Sequence, residues 1–246
     1  IIAKQDLVLA GLFLAEEVFR ALDDGVKFEA LAADGARIKK GRAIAAVRGP
    51  LAPMLTGERV ALNLLQRLSG IATLTAAFVR KAPGVAVLDT RKTTPLLRAF
   101  ERYAVRMGGG VNHRSGLYDA VLIKDNHIKA AGGIVKAIKK VRRNLGENKT
   151  IEVEVTNIKE TREALRGGAD IILLDNMDAV KIKKVLKVIK GRAVTEVSGG
   201  VNLANIKEFA GTGVDRISIG GLTHSAPAVD ISMKVVDSGG KKKNRF

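Results

Sequence analysis

Ile151-Glu152-Val153-Glu154-Val155 followed by Thr156-Asn157, and then Ile171-Ile172-Leu173-Leu174 followed by Asp175-Asn176, are the stretches that decide the fold. Each is a short, largely apolar run closed by polar residues, and the segment between them has helical spacing. The same unit recurs in both directions. Val85 to Leu88 ends in Asp89-Thr90-Arg91-Lys92, and Ala120 to Ile123 ends in Lys124-Asp125-Asn126-His127. Ala193 to Val197 ends in Ser198-Gly199-Gly200, and Arg216 to Ile219 ends in Gly220-Gly221. Strand then helix, repeated, predicts a parallel sheet. In a β/α barrel the C-terminal strand ends converge on one mouth, where active sites are built. An open doubly wound sheet would also place ligands at strand C-termini, but it calls for a glycine fingerprint after its first strand, and Asp89-Thr90-Arg91-Lys92 is not one. A barrel short of eight strands is the expectation.

The residues before Gly84 follow another rhythm. Leu12 to Leu22 carries apolar residues at helical spacing and ends at Asp23-Asp24-Gly25. Val26 to Leu31 and Ala43 to Val47 read as strands around an Asp34-Gly35 turn and are expected to pair antiparallel. A long helix is expected from about Glu58 to Lys81, with Gly70 inside it as a point of close packing. The expected organisation is a small α/β sandwich over 1–82, joined by the terminal segment 234–246, and an incomplete β/α barrel over 83–233.

Composition narrows the function. The 246 residues contain 42 Lys and Arg against 25 Asp and Glu, a formal charge of +17, with 46% apolar residues and no Cys. Such a chain can bury a sizeable core. Disulfides, thiolate metal sites and a cysteine nucleophile are excluded. The longest unbroken apolar run, Leu7 to Ala15, falls short of the roughly 18 residues needed to span a bilayer. Glu16 and Glu17 follow it where a signal peptide would carry small residues, so neither a membrane protein nor an exported one is expected. The chain opens on Ile1 rather than Met.

Charge is unevenly spread, with 12 basic against 8 acidic residues before Pro83 and 30 against 17 from it onward. Part of the excess lies in Lys241, Lys242, Lys243 and Arg245. Two helices carry more, Ile134 to Leu145 with an apolar stripe of Ile134, Ile138, Val141 and Leu145, and the stretch around Val185 and Ile189. These read as solvated basic faces. With no Trp and nine Phe and Tyr, the aromatic interleaving of a nucleic-acid surface is missing, and no specific nucleic-acid partner is expected.

Arg91, Lys92, Arg114 and Lys124 stand at turns or strand ends with His113 among them, and such a cluster calls for a polyanionic ligand. Arg suits planar carboxylates and Lys suits phosphate. Arg98, Arg102 and Arg106 read instead as a solvated helix surface. Ser198, Gly199, Gly200, Gly220 and Gly221 follow the last two strands, a place where glycine-rich backbone commonly cradles phosphate. Glu154 and Asp175 could bind Mg²⁺, accept hydrogen bonds from ribose hydroxyls, or pair with neighbouring Lys and Arg. Scattered His113, His127 and His224 give no zinc spacing.

Asp89 to Pro95 (DTRKTTP), Gly108 to Arg114 (GGGVNHR), Leu122 to His127 (LIKDNH), Glu152 to Val155 (EVEV), Leu173 to Met177 (LLDNM), Ser198 to Gly200 (SGG), Leu222 to Pro227 (LTHSAP) and Gly57 to Asn63 (GERVALN) occur in order. Together they resemble the quinolinate phosphoribosyltransferase family from about Ala10 to Met233. The resemblance implies a type II phosphoribosyltransferase-like incomplete barrel behind an α/β sandwich, working as a homodimer or higher oligomer in the cytoplasm. About 25 to 30 further residues would precede Ile1 in such a protein. It also implies quinolinate and 5-phosphoribosyl 1-pyrophosphate as substrates, Mg²⁺ as cofactor, and nicotinate mononucleotide, pyrophosphate and CO₂ as products in NAD biosynthesis. Arg91, His113 and Arg114 would clamp the quinolinate carboxylates, with Arg59 reaching in from the neighbouring subunit. Lys92 and Lys124 would meet the leaving pyrophosphate, Glu154 and Asp175 the sugar and metal, and the Gly-Gly loops the 5-phosphate. Two rivals remain, a transferase for nicotinate or another heterocyclic acid, including the molybdenum-transport-associated paralogues, and a nucleic-acid-binding barrel.

Overall fold

The computed structural model describes residues 1–146 and 149–236, so the basic tail beyond Val236 lies outside the described residues. The chain forms two compact units, each with its own interior. The second comprises Ala77–Lys92 and Gly110–Gly221. Its six strands are β1 (Ala86–Leu88), β2 (Val121–Ile123), β3 (Ile151–Val155), β4 (Ile171–Asp175), β5 (Val194–Ser198) and β6 (Arg216–Ser218). All pair in parallel, in the order β1-β6-β5-β4-β3-β2.

That order separates the two expected topologies. Each strand from β2 to β6 lies beside its successor, and the last pairs with the first, as in a barrel. A doubly wound sheet reverses direction part-way. Among the described residues β1 and β2 do not pair, so the barrel is incomplete. On β1, the free side takes a short parallel bridge from Leu88 to Val111, with the Val111 N–H donating to Val87 O at 2.8 Å. Asn112, His113 and Arg114 thereby follow directly beside the end of β1.

Register places the inward face. Residues two apart on a strand share a face, and Glu154, Leu173, Glu196 and Arg216 are partners across β3, β4, β5 and β6. Asp175 and Ser198 pair in the next row. On the other face of β3, Ile151, Val153 and Val155 are fully buried.

The first unit comprises Ile1–Ala76, Thr93–Gly109 and the described residues from Leu222 onward. This grouping differs from the expected division for Thr93–Gly109, the helix-bearing segment after β1, and for residues 222–233, while 234–236 fall with the first unit as expected. The strands Lys27–Ala30 and Ala45–Arg48 pair antiparallel, as their alternation requires. Asp34 accepts from the N–H groups of Gly11 and Leu12 at 2.9 and 3.2 Å, which caps the helix Leu12–Arg20, and from the Tyr103 hydroxyl at 2.7 Å. The core of this unit gathers Leu9, Phe19, Ile44 and Leu65.

The long helix runs Leu51–Lys81, seven residues longer at its start than the sequence suggested. Pro53 reads as a breaker, yet it falls in the first turn, where its missing N–H has no intrahelical partner to lose. By length and composition this helix could cross a membrane, but half of its most apolar window is buried within the protein. Its Arg67 side chain donates to the fully buried Glu101 carboxylate at 2.8 Å and to the carbonyls of Thr223 and Ala226. Glu101 also accepts from the Thr94 N–H and hydroxyl at 3.0 and 2.8 Å. Arg98, read as solvated, donates from Nε to Thr93 Oγ1 at 3.0 Å, and Arg106 lies over the Tyr103 ring, 5.7 Å from its centre.

The expected stripe of the helix Ile134–Leu145 also needs correction. Ala137 is buried and Leu145 is exposed, because the helix turns Ile134, Ala137 and Ile138 inward. Arg142 is not a free solvent charge either, since it pairs with Asp170 at 2.8 Å.

Gly70 is a packing requirement. A Cβ there would run into the Pro227 carbonyl oxygen and the Ala228 backbone, neither of which can rotate aside. Alanine ordinarily gains about 1 kcal/mol over glycine inside a helix. Gly70→Ala is nonetheless expected to destabilise the protein by about 1–3 kcal/mol, the usual cost of overpacking. Denaturant unfolding checks this, and a stabilised variant would show that the 227–228 backbone yields freely.

Candidate active site

The strand ends of the barrel unit carry the groups the sequence singled out, and local structure divides them. Thr156 and Asn157 turn out to start a helix. Asn157 Oδ1 accepts from the Glu160 N–H at 2.9 Å, while Glu160 Oε2 accepts from the Thr156 N–H and hydroxyl. His127 plays a similar part, its Nδ1 accepting from the Lys124 N–H at 3.0 Å. What β3 offers to a ligand is therefore Glu154, and what β2 offers is Lys124.

These two meet. Lys124 Nζ donates to Glu154 Oε2 at 2.9 Å, so pairing of Glu154 with a neighbouring lysine is the observed arrangement. Lys124 is half-exposed and Glu154 largely buried. On β4, Asp175 accepts from the Asn176 side chain at 2.9 Å. Asn176 has φ 51°, and its N–H donates to Ser198 O at 3.0 Å, tying the ends of β4 and β5 together. Gly199 follows with φ +92°, and a Cβ on it would collide with the Asn176 side chain and backbone. Gly200, at φ +63°, faces open space. Ser198 Oγ reaches Ser218 O at 3.5 Å, and Gly220-Gly221 stand two and three residues beyond that carbonyl.

The cations of β1 and its neighbour lie close enough to feel one another. Arg91 and Lys92 are exposed after Asp89, with the Lys92 N–H donating to Thr90 Oγ1 at 3.1 Å. Burial first, and then the charge of Arg91, lower the affinity of the Arg114 guanidinium for its proton. Arg114 also donates to the Ala120 carbonyl at 3.2 Å. The loop behind it closes on Asp119, whose carboxylate accepts from the N–H groups of Ser115 and Gly116 at 2.5 and 3.1 Å. The Ser115 bond is the leading cause that pulls this carboxyl down to about 2. Arg59 stands exposed on the helix Leu51–Lys81 of the first unit.

Beneath these residues lies a group that sequence reasoning missed. Asp89, fully buried, accepts from Asn112 Nδ2 at 2.5 Å and from the His113 N–H at 2.7 Å, which fixes the 112–114 backbone. His113 Nε2 then lies 3.3 Å from Glu152 Oε2 and 3.2 Å from Glu196 Oε1. Arg216 Nε is 3.7 Å from the other Glu196 oxygen. Burial opposes a charge on His113, but the hydrogen bonds and charges of Glu152 and Glu196 outweigh it and push the imidazole up to about 10. The signal was present in the sequence, since Glu152 and Glu196 each stand two residues before a chosen site residue and so share its face. The trio also has the proximity of a metal-ligand group, although Arg216 already brings positive charge to Glu196.

Family models match nearly the whole chain. The quinolinate phosphoribosyl transferase N-terminal domain matches residues 1–69, and the C-terminal domain matches residues 71–234. The chain belongs to the quinolinate phosphoribosyltransferase family. The probable nicotinate-nucleotide pyrophosphorylase (carboxylating) of Bacillus subtilis is 48% identical over 237 residues, covering 96% of this chain and 82% of that one. The mitochondrial quinolinate phosphoribosyltransferase (decarboxylating) 2 of Nicotiana glauca is 43% identical over 252 residues, 95% of this chain and 72% of its own. The crystal structure of NadC from Streptococcus pyogenes superposes with a TM-score of 0.92 at 46% identity, over 95% of this chain and 84% of that one.

Gly199 gives a direct test of the β4–β5 corner. Strain at such a position is worth about 1–3 kcal/mol, so Gly199→Ala should raise the KM for 5-phosphoribosyl 1-pyrophosphate about tenfold while the protein still folds. An unchanged KM would count against a phosphate role for this loop.

Proposed function

We propose that the protein joins quinolinate to 5-phosphoribosyl 1-pyrophosphate and releases pyrophosphate and CO₂, giving nicotinate mononucleotide for NAD biosynthesis. The observation that carries this reading is the gathering of cations in one barrel unit, Arg91 and Lys92 after β1 and Arg114 on the segment bridged to it, with the Lys124–Glu154 pair and Asp175 at the ends of β2, β3 and β4. Two like charges are held together at a cost, and a dianionic pyridine dicarboxylate offsets it. Forked guanidinium groups fit planar carboxylates.

Departure of pyrophosphate leaves an oxocarbenium-like carbon on the ribose. The site must meet growing negative charge on the leaving group and positive charge on the sugar at once. Lys92 and Lys124 serve the first need. Glu154 and Asp175 serve the second, and when the substrate arrives Lys124 exchanges part of its contact with Glu154 for the pyrophosphate. The pyridine nitrogen attacks the ribose carbon and becomes a pyridinium. That ring then accepts the electron pair left when the adjacent carboxylate departs as CO₂, and a proton fills the vacated carbon. No organic cofactor is called for by this chemistry.

Glu154 and Asp175 fit Mg²⁺. They are oxygen donors on adjacent strands, neither is wholly enclosed, and this ion binds through one or two carboxylates while sharing substrate oxygens. Bound there, it would supply neutralising charge to the pyrophosphate. Ser198, Gly199, Gly200, Gly220 and Gly221 hold the 5-phosphate through backbone N–H groups in this reading. Arg59 completes the dicarboxylate clamp from a second copy of the chain in a homodimer.

Quinolinate should be preferred over nicotinate by at least about a hundredfold in kcat/KM, because a site built for two carboxylates leaves part of its cation cluster unmatched by a substrate that has one. Comparable values would point to a transferase for a monocarboxylic acid.

The shared site makes a second prediction. Inactive Arg59→Ala chains mixed with inactive Glu154→Ala chains should recover activity toward about a quarter of the wild-type level, since about half the dimers are mixed and each of these has one site free of both defects. No recovery, with subunit exchange demonstrated, would place Arg59 outside any shared site.

A further inference from the structure

The inward row of the barrel has a charge problem that the reaction chemistry does not explain. Glu196 is wholly buried and Glu152 nearly so. Among the described residues, neither Glu196 oxygen nor Glu152 Oε1 receives a well-aligned hydrogen bond. Two carboxylates in that setting face Arg216, which lies against Glu196, and one imidazole, His113, which lies against both, while the charge of Arg114 also acts on Glu152. Buried charges persist only when they are matched. Among the described residues only His113 comes within 4 Å of both carboxylates, and a positive charge on its ring would meet both at once.

His113 is placed to supply that charge. Its Nδ1 accepts from the Arg114 N–H at 2.8 Å, which identifies Nε2 as the nitrogen bearing the proton, and Nε2 points between the two carboxylates. Carboxylates behind one ring nitrogen raise the basicity of the other, as second partners do for catalytic and metal-bound histidines. That bond is one the neutral ring makes; a second proton on Nδ1 turns the nitrogen from acceptor to donor and releases the Arg114 N–H, so the charged ring differs from the observed arrangement at this one contact. An arriving carboxylate then finds two adjacent N–H groups. Of the other groups nearby, Asp89 is engaged by the His113 and Asn112 N–H groups, and Arg114 is attracted by Glu152 and repelled by Arg91.

We propose that Glu152 and Glu196 are positioning residues for His113, which they fix through Nε2 and hold as an imidazolium whose Nδ1–H meets a carboxylate of the substrate. The inference rests on the reading of this site as a dicarboxylate clamp. It adds two residues that touch no substrate and act only through the ring.

The protein has three histidines, so ring signals of ¹⁵N-histidine-labelled protein can be followed one by one, with His113→Gln identifying the relevant one. In the ligand-free wild type the His113 ring should stay doubly protonated through neutral pH and lose its proton only as pH rises toward about 10. In Glu196→Gln, and separately in Glu152→Gln, that loss should move down toward the ordinary value near 6.5. Activity should follow the same sign. The wild-type kcat/KM for quinolinate holds across neutral pH and falls on the alkaline side, and in the Gln variants the fall comes earlier, as a KM increase of about tenfold with kcat little changed.

In the His113→Gln background, Glu196→Gln should have no further effect on that KM. Both Gln variants keep the shape of the side chain they replace, and either one alone decides the matter. An unmoved His113 titration in a folded variant, or additive KM effects in the double variant, would overturn the proposal. The titration needs no substrate, so absence of turnover with quinolinate would overturn the reaction assignment and leave the ring measurement to be judged by itself.

Discussion

The requirement that buried negative charge be matched governs how the barrel unit is arranged. Glu152 and Glu196 point into a parallel sheet whose other face is filled by Ile151, Val153 and Val197. Burial shields them from bulk solvent, so the cost is met by fixed groups. Arg216 on the neighbouring strand meets part of it, and His113 and the charge of Arg114 contribute further. His113 can do so because Val111 lies alongside β1 and the fully buried Asp89 grips the backbone at 113. The incomplete barrel is thus functional, in that the gap between β1 and β2 admits a connecting segment, and that segment brings the imidazole and Arg114 to the interior row.

A second constraint is the close approach of backbones. Gly70 lets a long helix pass the carbonyl of Pro227, and Gly108 has no room for a Cβ against Ala72 and Thr75. Gly199 does the same between β4 and β5, where Asn176 in a left-handed conformation locks onto Ser198. The glycines of this chain are not interchangeable. Gly200 and Gly221 have open surroundings, where an added Cβ would meet nothing closer than 4 Å.

Much of this was legible beforehand, for a definite reason. Parallel strands buried on the helix side give short apolar runs that stand out, and polar residues at their ends have few purely structural reasons to recur. Lys124, Glu154, Asp175, Ser198 and Gly199 all came from that pattern and all lie at the ends of neighbouring strands. The pattern cannot tell a ligand from a helix cap, which is why Thr156 and Asn157 looked functional when they bind Glu160. It also gives no weight to a carboxylate inside a strand until the inward face is known, and so Glu152 and Glu196 escaped notice. The long helix starts seven residues before the expected Glu58, and its Pro53 sits in the first turn, where a missing N–H has no intrahelical partner to lose. The grouping of Thr93–Gly109 and the chain from Leu222 with the first unit has no local signature at all.

The chemistry follows from bringing a dianionic heterocycle and a phosphorylated sugar under one cationic mouth. Forming the bond to the ring nitrogen makes the carboxylate beside it a leaving group, so the transfer and the decarboxylation are one sequence of events and not two separate activities. Quinolinate labelled in the carboxylate adjacent to nitrogen, supplied with 5-phosphoribosyl 1-pyrophosphate and Mg²⁺, tests this most directly. One labelled CO₂ should appear for each mononucleotide formed, with none when the sugar substrate is withheld. Mononucleotide formed with the label retained, or labelled CO₂ released without the sugar substrate, would contradict the account.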